Sequence, residues 1–274
     1  MEQSKNTGML YRRVGNSGLF VSVISLGGWL TYGGHVDEDG TMKCMKQAYD
    51  LGVNFFDTAE SYAGGQSEIA MGKINFGTAH GNMEINNYGL SRKHIIEGTL
   101  TSLKRLELDY VDIIYAHRPD RLTSMEEVVR AFNYLINQGL AFYWGTSMWS
   151  ADEISKATGV AKSLGLIELI VEQPLYNMIN RQKVEGEFQR VYSRCGIGLT
   201  VFSPLKGGIL TGKYNETVTE PPKDSRIAVS QDKYTSSIRK GYGSEAWKAN
   251  LQRVAKLKPI ADRLECKLSA LALA

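Results

Sequence analysis

The sequence predicts an α/β fold on a parallel sheet, and at 274 residues a single (β/α)8 barrel of the TIM type over an open doubly wound sheet. Three observations predict it. Short apolar runs alternate with segments of helical periodicity along the whole chain. Nearly every apolar run is followed at once by a polar group, the pattern expected where strand ends open onto a ligand site. The first buried strand is not followed by GxGxxG, which weakens the dinucleotide-binding alternative. No linker or short internal repeat divides residues 1–274, so one domain is expected.

The elements follow in order. Leu10 to Gly18 reads as a hairpin turning at Asn16-Ser17-Gly18. Val21 to Leu26 reads as a first buried strand ended by Gly27-Gly28, and Gly33-Gly34 marks a loop. Asp37 caps a helix to about Asp50, with Met42, Met45, Ala48 and Tyr49 at helical spacing. Val53 to Phe56 is the next strand, closed by Asp57; Glu68 to Lys73 starts a helix, and 74–87 is a Gly- and Asn-rich loop. Ser91 caps a helix to about Leu106, and Val111 to Ala116 is a strand ending in His117-Arg118-Pro119-Asp120. Thr123 with Glu126, and Ser150 with Glu153, form capping-box patterns around the strand Ala141 to Gly145, which ends in Thr146-Ser147. Leu169 to Glu172 is a strand ending in Gln173-Pro174; Val184 to Arg194 is a helix; Leu199 to Phe202 is a strand ending in Ser203-Pro204. Pro221 to Gly243 reads as a long polar loop, and helix resumes near Glu245 with a break near Cys266.

Composition narrows the function. A hydrophobic content of 43% supports one large core, and a net charge of +3 without a Lys/Arg run points away from nucleic acid. Cys44, Cys195 and Cys266 form no CxxC, which favours a reducing compartment. The polar N-terminus lacks a secretory core, and no apolar run approaches the ~20 residues of a membrane span, so a cytoplasmic protein without membrane insertion is expected. His35, His80, His94 and His117 show no metal-ligand spacing, so no metal is expected; His94, on a helix, reads as structural or solvated. Gly207 to Tyr214 nearly spells a P-loop, but Tyr214 stands where a Ser or Thr must hold the metal.

The chemistry centres on Val53-Asn-Phe-Phe-Asp-Thr-Ala-Glu-Ser-Tyr62. Asp57 and Tyr62 would share the mouth at a strand end, and His117 would enter the same mouth from another. A phenol, with an ordinary pKa of about 10, needs a cation or a polarising partner to act as an acid near neutrality. Trp29, Met148-Trp149 and Tyr176, just past strand ends, offer an apolar lining or a stacking face, which suggests an apolar or aromatic substrate.

Taken together, several runs resemble the aldo-keto reductases, and more narrowly the branch holding the voltage-gated potassium channel beta subunits and their plant and fungal relatives. They are the run ending in Tyr62, Gly89-Leu-Ser-Arg-Lys-His94, Tyr110 to Asp120, Tyr143-Trp-Gly-Thr-Ser147, Val171-Glu-Gln-Pro174, Tyr176-Asn177, Phe202-Ser-Pro-Leu205 and Gly212-Lys-Tyr214. The resemblance implies a (β/α)8 barrel that binds NADPH at its C-terminal face and reduces an aldehyde or ketone by hydride transfer. It makes Tyr62 the proton donor, His117 the group orienting the carbonyl, and Asp57 the partner of a lysine. It places Ser147 and Gln173 on the nicotinamide amide and Phe202 on the nicotinamide ring. Ser203, Pro204, Leu205, Lys206, Lys213 and Arg226 match positions along the pyrophosphate and ribose-phosphate, and Gly28, Trp29 and His35 match the first loop over the cofactor. A small carbonyl substrate, and a second copy or a channel as partner, are implied; a cofactor-sensing regulatory subunit and a catalytically impaired shortened variant are the alternatives.

Two departures from that family set further expectations. Between Gly72 and Ile74 the family has the rest of a helix, a loop and the third barrel strand with its catalytic lysine; here stands Lys73 alone. Lys73 matches either the residue after the helical Met-Gly or that lysine. From Tyr62 to Lys73 the chain is too short for a crossover, which needs ~10–12 residues plus a strand. The chain also stops at Ala274, where the family continues into the eighth strand. An incomplete barrel lacking its third and eighth strands is expected.

Overall fold

The computed structural model describes residues 7–29, 31–72, 89–217 and 219–274. Lys73, His80 and the expected loop over 74–87 lie outside the described residues. The chain contacts form two compact units: Met1–Gln173 with Glu187–Thr200, and Pro174–Gly186 with Val201–Ala274.

The first unit carries the sheets. β1 (Tyr11–Arg13) pairs antiparallel with β2 (Phe20–Ser22), and β3 (Leu26–Gly27) pairs parallel with β4 (Phe56–Asp57). β5 (Val111–Ala116), β6 (Ala141–Ser147), β7 (Val171–Gln173) and β8 (Gly198–Leu199) form a parallel sheet in that order. The fold is therefore α/β with parallel strands joined by helical crossovers, as the alternation predicts. Among the described residues no strand lies between β4 and β5 or in 203–274.

The expected strand Val21 to Leu26 is two strands with different partners. Ser22 and Asn54 divide it: the Ser22 amide donates to Asn54 Oδ1 (2.7 Å), and its hydroxyl donates to the Ile24 carbonyl (2.7 Å). These side-chain bonds compete with the ladder.

The helices start where the sequence places caps. Asp37 caps α1 (Glu38–Asp50), Ser91 caps α3 (Arg92–Leu106), and Ser150 with Glu153 closes a full capping box on α5 (Ala151–Ser163). α4 (Met125–Asn137) is a correction: Ser124, not Thr123, accepts from the Glu127 amide, because Thr123 Oγ1 donates to Asp120 Oδ2 (2.8 Å). α1 is a second correction. Met42 and Tyr49 are exposed, so the apolar spacing there does not mark a core face.

The core of this unit lies where α4 and α5 cover the long sheet. Phe132 stacks on Trp144 (5.1 Å between centroids, 7° between planes), and Trp144 Nε1 donates to the Ile167 carbonyl (3.0 Å). Val128, Val129, Phe132 and Leu135 recur at the spacing of one helix face and are all buried. Trp149 is fully buried in the same core, so it does not line a pocket. Near the sheet, the expected helix from Val184 to Arg194 is a π turn (Lys183–Glu187) followed by α6 (Gln189–Cys195).

In the second unit, the expected polar loop from Pro221 to Gly243 holds α7 (Arg226–Val229), capped by Ser225, and α8 (Lys233–Lys240), capped by Asp232. Helix then runs as α9 (Glu245–Ala255), α10 (Lys258–Arg263) and α11 (Leu268–Leu273), with Pro259 in the first turn of α10 and the second break at Cys266. Leu210, Tyr214, Ile227, Trp247, Leu251 and Val254 form its core. Tyr214 is fully buried there, which removes it from any P-loop role.

Candidate active site

In the first unit, the ends of the parallel strands β3 to β7 bring the predicted groups together. β4 ends on Asp57, and the Gly28 amide after β3 donates to the Asp57 carbonyl (2.8 Å). A Cβ on Gly28 would sit 2.5 Å from Ser67 Oγ and 2.9 Å from Met71 Sδ, so a larger residue there must displace one or both side chains. Tyr62 opens a tight 3₁₀ turn, Tyr62–Gly65, in which Ala63 (φ 49°) and Gly64 (φ 63°) leave helical geometry. That turn presents the Tyr62 ring edge-on to His117 (5.8 Å, 78°) and tilted to the half-buried Trp29 (6.5 Å, 45°). His117 follows β5 directly.

A hydrogen-bond chain ties the strand ends. Arg118 Nη1 donates to Ser147 Oγ (3.0 Å), Ser147 Oγ donates to the Gln173 carbonyl (2.9 Å), and Gln173 Nε2 donates to Asp57 Oδ2 (3.2 Å). The Ser147 proton is thereby committed to Gln173, so the serine can only accept from an incoming N–H. Gln173 is a hydrogen-bond partner of Asp57; the lysine that the resemblance pairs with Asp57, if it is Lys73, lies outside the described residues.

The charges follow from burial and neighbours. Burial pushes the Asp57 carboxyl above its usual range, with the Gln173 bond acting the other way. Burial pushes the Tyr62 phenol up to about 12; Asp57 adds to the rise and Arg118 opposes it. Burial and Arg118 hold His117 below its ordinary value, with Glu60 opposing, which favours a neutral imidazole with one N–H and one lone pair.

Sequence reasoning missed three of these groups. Arg118 sits in a matched run but has no motif spacing that marks a role. Glu60 is held low chiefly by the His94 bond (3.0 Å), so His94 anchors the turn that carries Tyr62. Arg105 of α3 pairs with the buried Glu68 of α2 (Gln66–Gly72) at 3.0 Å. His35 is exposed.

The second unit holds the remaining predicted positions. Phe202 continues a parallel pairing with Leu175, and the Ser203 carbonyl accepts from Asn177 Nδ2 (3.1 Å). Pro204 and Leu205 lead into a 3₁₀ turn, Lys206–Thr211, where Lys206, Gly207 and Gly208 all have positive φ. Lys206 Nζ donates to Asn180 Oδ1 (2.5 Å), and burial with Arg253 lowers its pKa. A cavity of about 290 Å³ is lined by Ser203, Lys206, Ile227, Tyr234, Trp247 and Asn250 among others. Lys213 Nζ lies 5.0 Å from the Tyr214 ring centre, and Arg226 acts electrostatically on Tyr214. Of the three predicted cations in this unit, Lys206 lies on the cavity wall, while Lys213 and Arg226 act on Tyr214. Among the described residues no cluster of His, Cys, Asp and Glu could hold a metal, and no helix is long and apolar enough to cross a membrane.

Residues 23–274 match the family model described as aldo/keto reductase. The chain is 47% identical to a probable voltage-gated potassium channel subunit beta from Arabidopsis thaliana, over 97% of this chain and 83% of that protein. It is 45% identical to a probable voltage-gated potassium channel subunit beta from Oryza sativa subsp. japonica, over the same shares. It is 46% identical to a putative voltage-gated potassium channel subunit beta from Schizosaccharomyces pombe, over 96% of this chain and 79% of that protein.

Proposed function

The chain belongs to the aldo/keto reductase family, a family of oxidoreductases, and from that premise we propose that it reduces an aldehyde or ketone to an alcohol with NADPH, Tyr62 giving the proton. The observation that supports this most is the meeting of Tyr62, His117 and Trp29 beside the chain that links Arg118, Ser147, Gln173 and Asp57.

The donor set suits the cofactor. In the first unit Gly28, Trp29, His35, Asp57, Ser147 and Gln173 are the proposed contacts, with Ser147 accepting from the carboxamide. In the second, Phe202, Ser203, Pro204, Leu205, Lys206, Lys213 and Arg226 are proposed, the cations answering the phosphates. When bound, NADPH supplies the hydride. His117, kept neutral, donates a hydrogen bond to the carbonyl oxygen. Charge builds on that oxygen as the carbon is reduced, and Tyr62 transfers its proton there. An alkoxide is about as basic as hydroxide, with a conjugate acid near pKa ~16. A phenol at about 12 is therefore still acidic enough to give up its proton in that step.

The test is carbonyl-dependent NADPH oxidation by the purified chain. Tyr62→Phe should cut the rate at least ~100-fold while NADPH binding, followed by tryptophan fluorescence, persists. An unchanged rate would remove Tyr62 from the reaction. A second reading, a cofactor-sensing subunit of a potassium channel, is supported by the names of the plant and yeast relatives. NADPH binding and co-purification with a channel, without turnover on any carbonyl compound, would favour it.

A further inference from the structure

We propose that Arg118 is a positioning residue of this site: its guanidinium, pinned across the ends of β5 and β6, is the fixed cation that stabilises the phenolate left on Tyr62 when the proton moves to the substrate oxygen. This rests on the carbonyl-reductase reading above. Tyr62 O–H breaks, a substrate O–H forms, the reduced nicotinamide supplies the hydride, and solvent later reprotonates the phenolate.

Arg118 is anchored beside the Tyr62–His117 pair, and its action on the phenol is electrostatic. Arg118 directly follows His117, whose ring meets Tyr62 edge-on. Its Nη1 is held at Ser147 Oγ (3.0 Å) and also donates to the His117 carbonyl, so the guanidinium has two anchors although the residue itself is exposed. A cation held in place costs no reorganisation when charge appears. The same cation opposes the rise at Tyr62 and holds His117 low. Other charged groups among the described residues act on the same pair. Asp57, at the end of β4, works against the phenolate; Glu60, on the turn before Tyr62, favours charged His117 and is itself bonded to His94 of α3 and influenced by Arg105. Lys73 lies outside the described residues. Through Ser147 the guanidinium also orients the one hydroxyl lone pair left for the carboxamide.

The experiment uses the full chain with Arg118→Met, Arg118→Gln and Arg118→Lys, each checked for native circular dichroism. The first readout is the NMR titration of His117, assigned by comparison with His117→Asn. Both neutral variants should move its midpoint upward, and Lys should restore most of the shift. The second is the kcat–KM split for carbonyl reduction: kcat should fall about 10- to 100-fold in the neutral variants, with KM for the carbonyl little changed and partial rescue by Lys. An unmoved His117 midpoint, or equal loss of kcat in the Met and Lys variants, would overturn the electrostatic role. Absence of turnover in the unaltered chain would overturn the reductase reading alone, and the His117 titration would still decide whether Arg118 acts on the pair.

Discussion

Arg105→Met should be among the most damaging single changes in the first unit, through a buried charge left without its partner. Arg105 and Glu68 are 5% and 3% exposed, and their ion pair is 3.0 Å long. Burial already pushes the Glu68 carboxyl up, against the Ser102 and Arg105 bonds that lower it. Methionine keeps the stem but removes the charge, leaving a buried carboxylate. Breaking such a pair from one side typically costs ~3–5 kcal/mol. With a urea slope near ~3 kcal/mol/M, the unfolding midpoint should drop by roughly 1–1.7 M. The assay is urea unfolding in a Trp247→Phe background, where Trp29, Trp144 and Trp149 report on the first unit. The pH dependence has a definite sign. A carboxyl whose folded pKa is raised contributes most below its unfolded value, and that contribution is lost as pH rises. The deficit should therefore be smaller near pH 5 than near pH 8. Glu68→Gln with Arg105→Met should recover much of the loss, since replacing both partners leaves no buried charge. The damage should reach the site, because Gly65 in the Tyr62 turn has φ 89° and its Cβ position lies 3.1 Å from Arg105 Cζ. A single variant within 1 kcal/mol of the unaltered chain, or a deficit that grows as pH falls, would refute this reasoning.

Two further outcomes follow from the geometry. Gly145→Ala should destabilise the first unit by ~1–3 kcal/mol, because a Cβ would lie 2.4 Å from Val171 Cγ1 and 2.7 Å from the Val171 carbonyl, forcing β6 from β7; an unchanged urea midpoint would contradict it. Tyr32, Tyr62 and Tyr214 are each pushed up to about 12, so the stability they contribute is fully present below pH 10 and lost as pH rises through about 12. Absorbance near 295 nm should show these phenols ionising with unfolding, after the exposed tyrosines; a single early transition of all 14 in a still-folded chain would contradict it.

What the sequence alone determined is the class of fold and the identity of most groups at the strand ends. Strand–helix alternation is local; Asp57, His117, Ser147 and Gln173 stand at or just past the ends of apolar runs, and Tyr62 comes five residues after Asp57. Helix starts were equally legible where a cap is one side chain bonding an amide two or three residues on, as at Asp37, Ser91 and Ser150. Ser124 and the helices after Ser225 and Asp232 were not legible, because the competing bond from Thr123 and the polar composition hid the caps. Only the tertiary structure decided which partner each polar group has. Arg118 reaches Ser147 across 29 residues of sequence, Gln173 reaches Asp57 across 116, and Glu60 reaches His94 across 34. Trp149 and Trp29 look alike in sequence, yet one is core and the other lies beside Tyr62, since burial depends on which elements pack over a residue. Charges and hydrogen bonds act through space, so which groups act on the phenol has no signature along the chain until the strand ends are brought side by side.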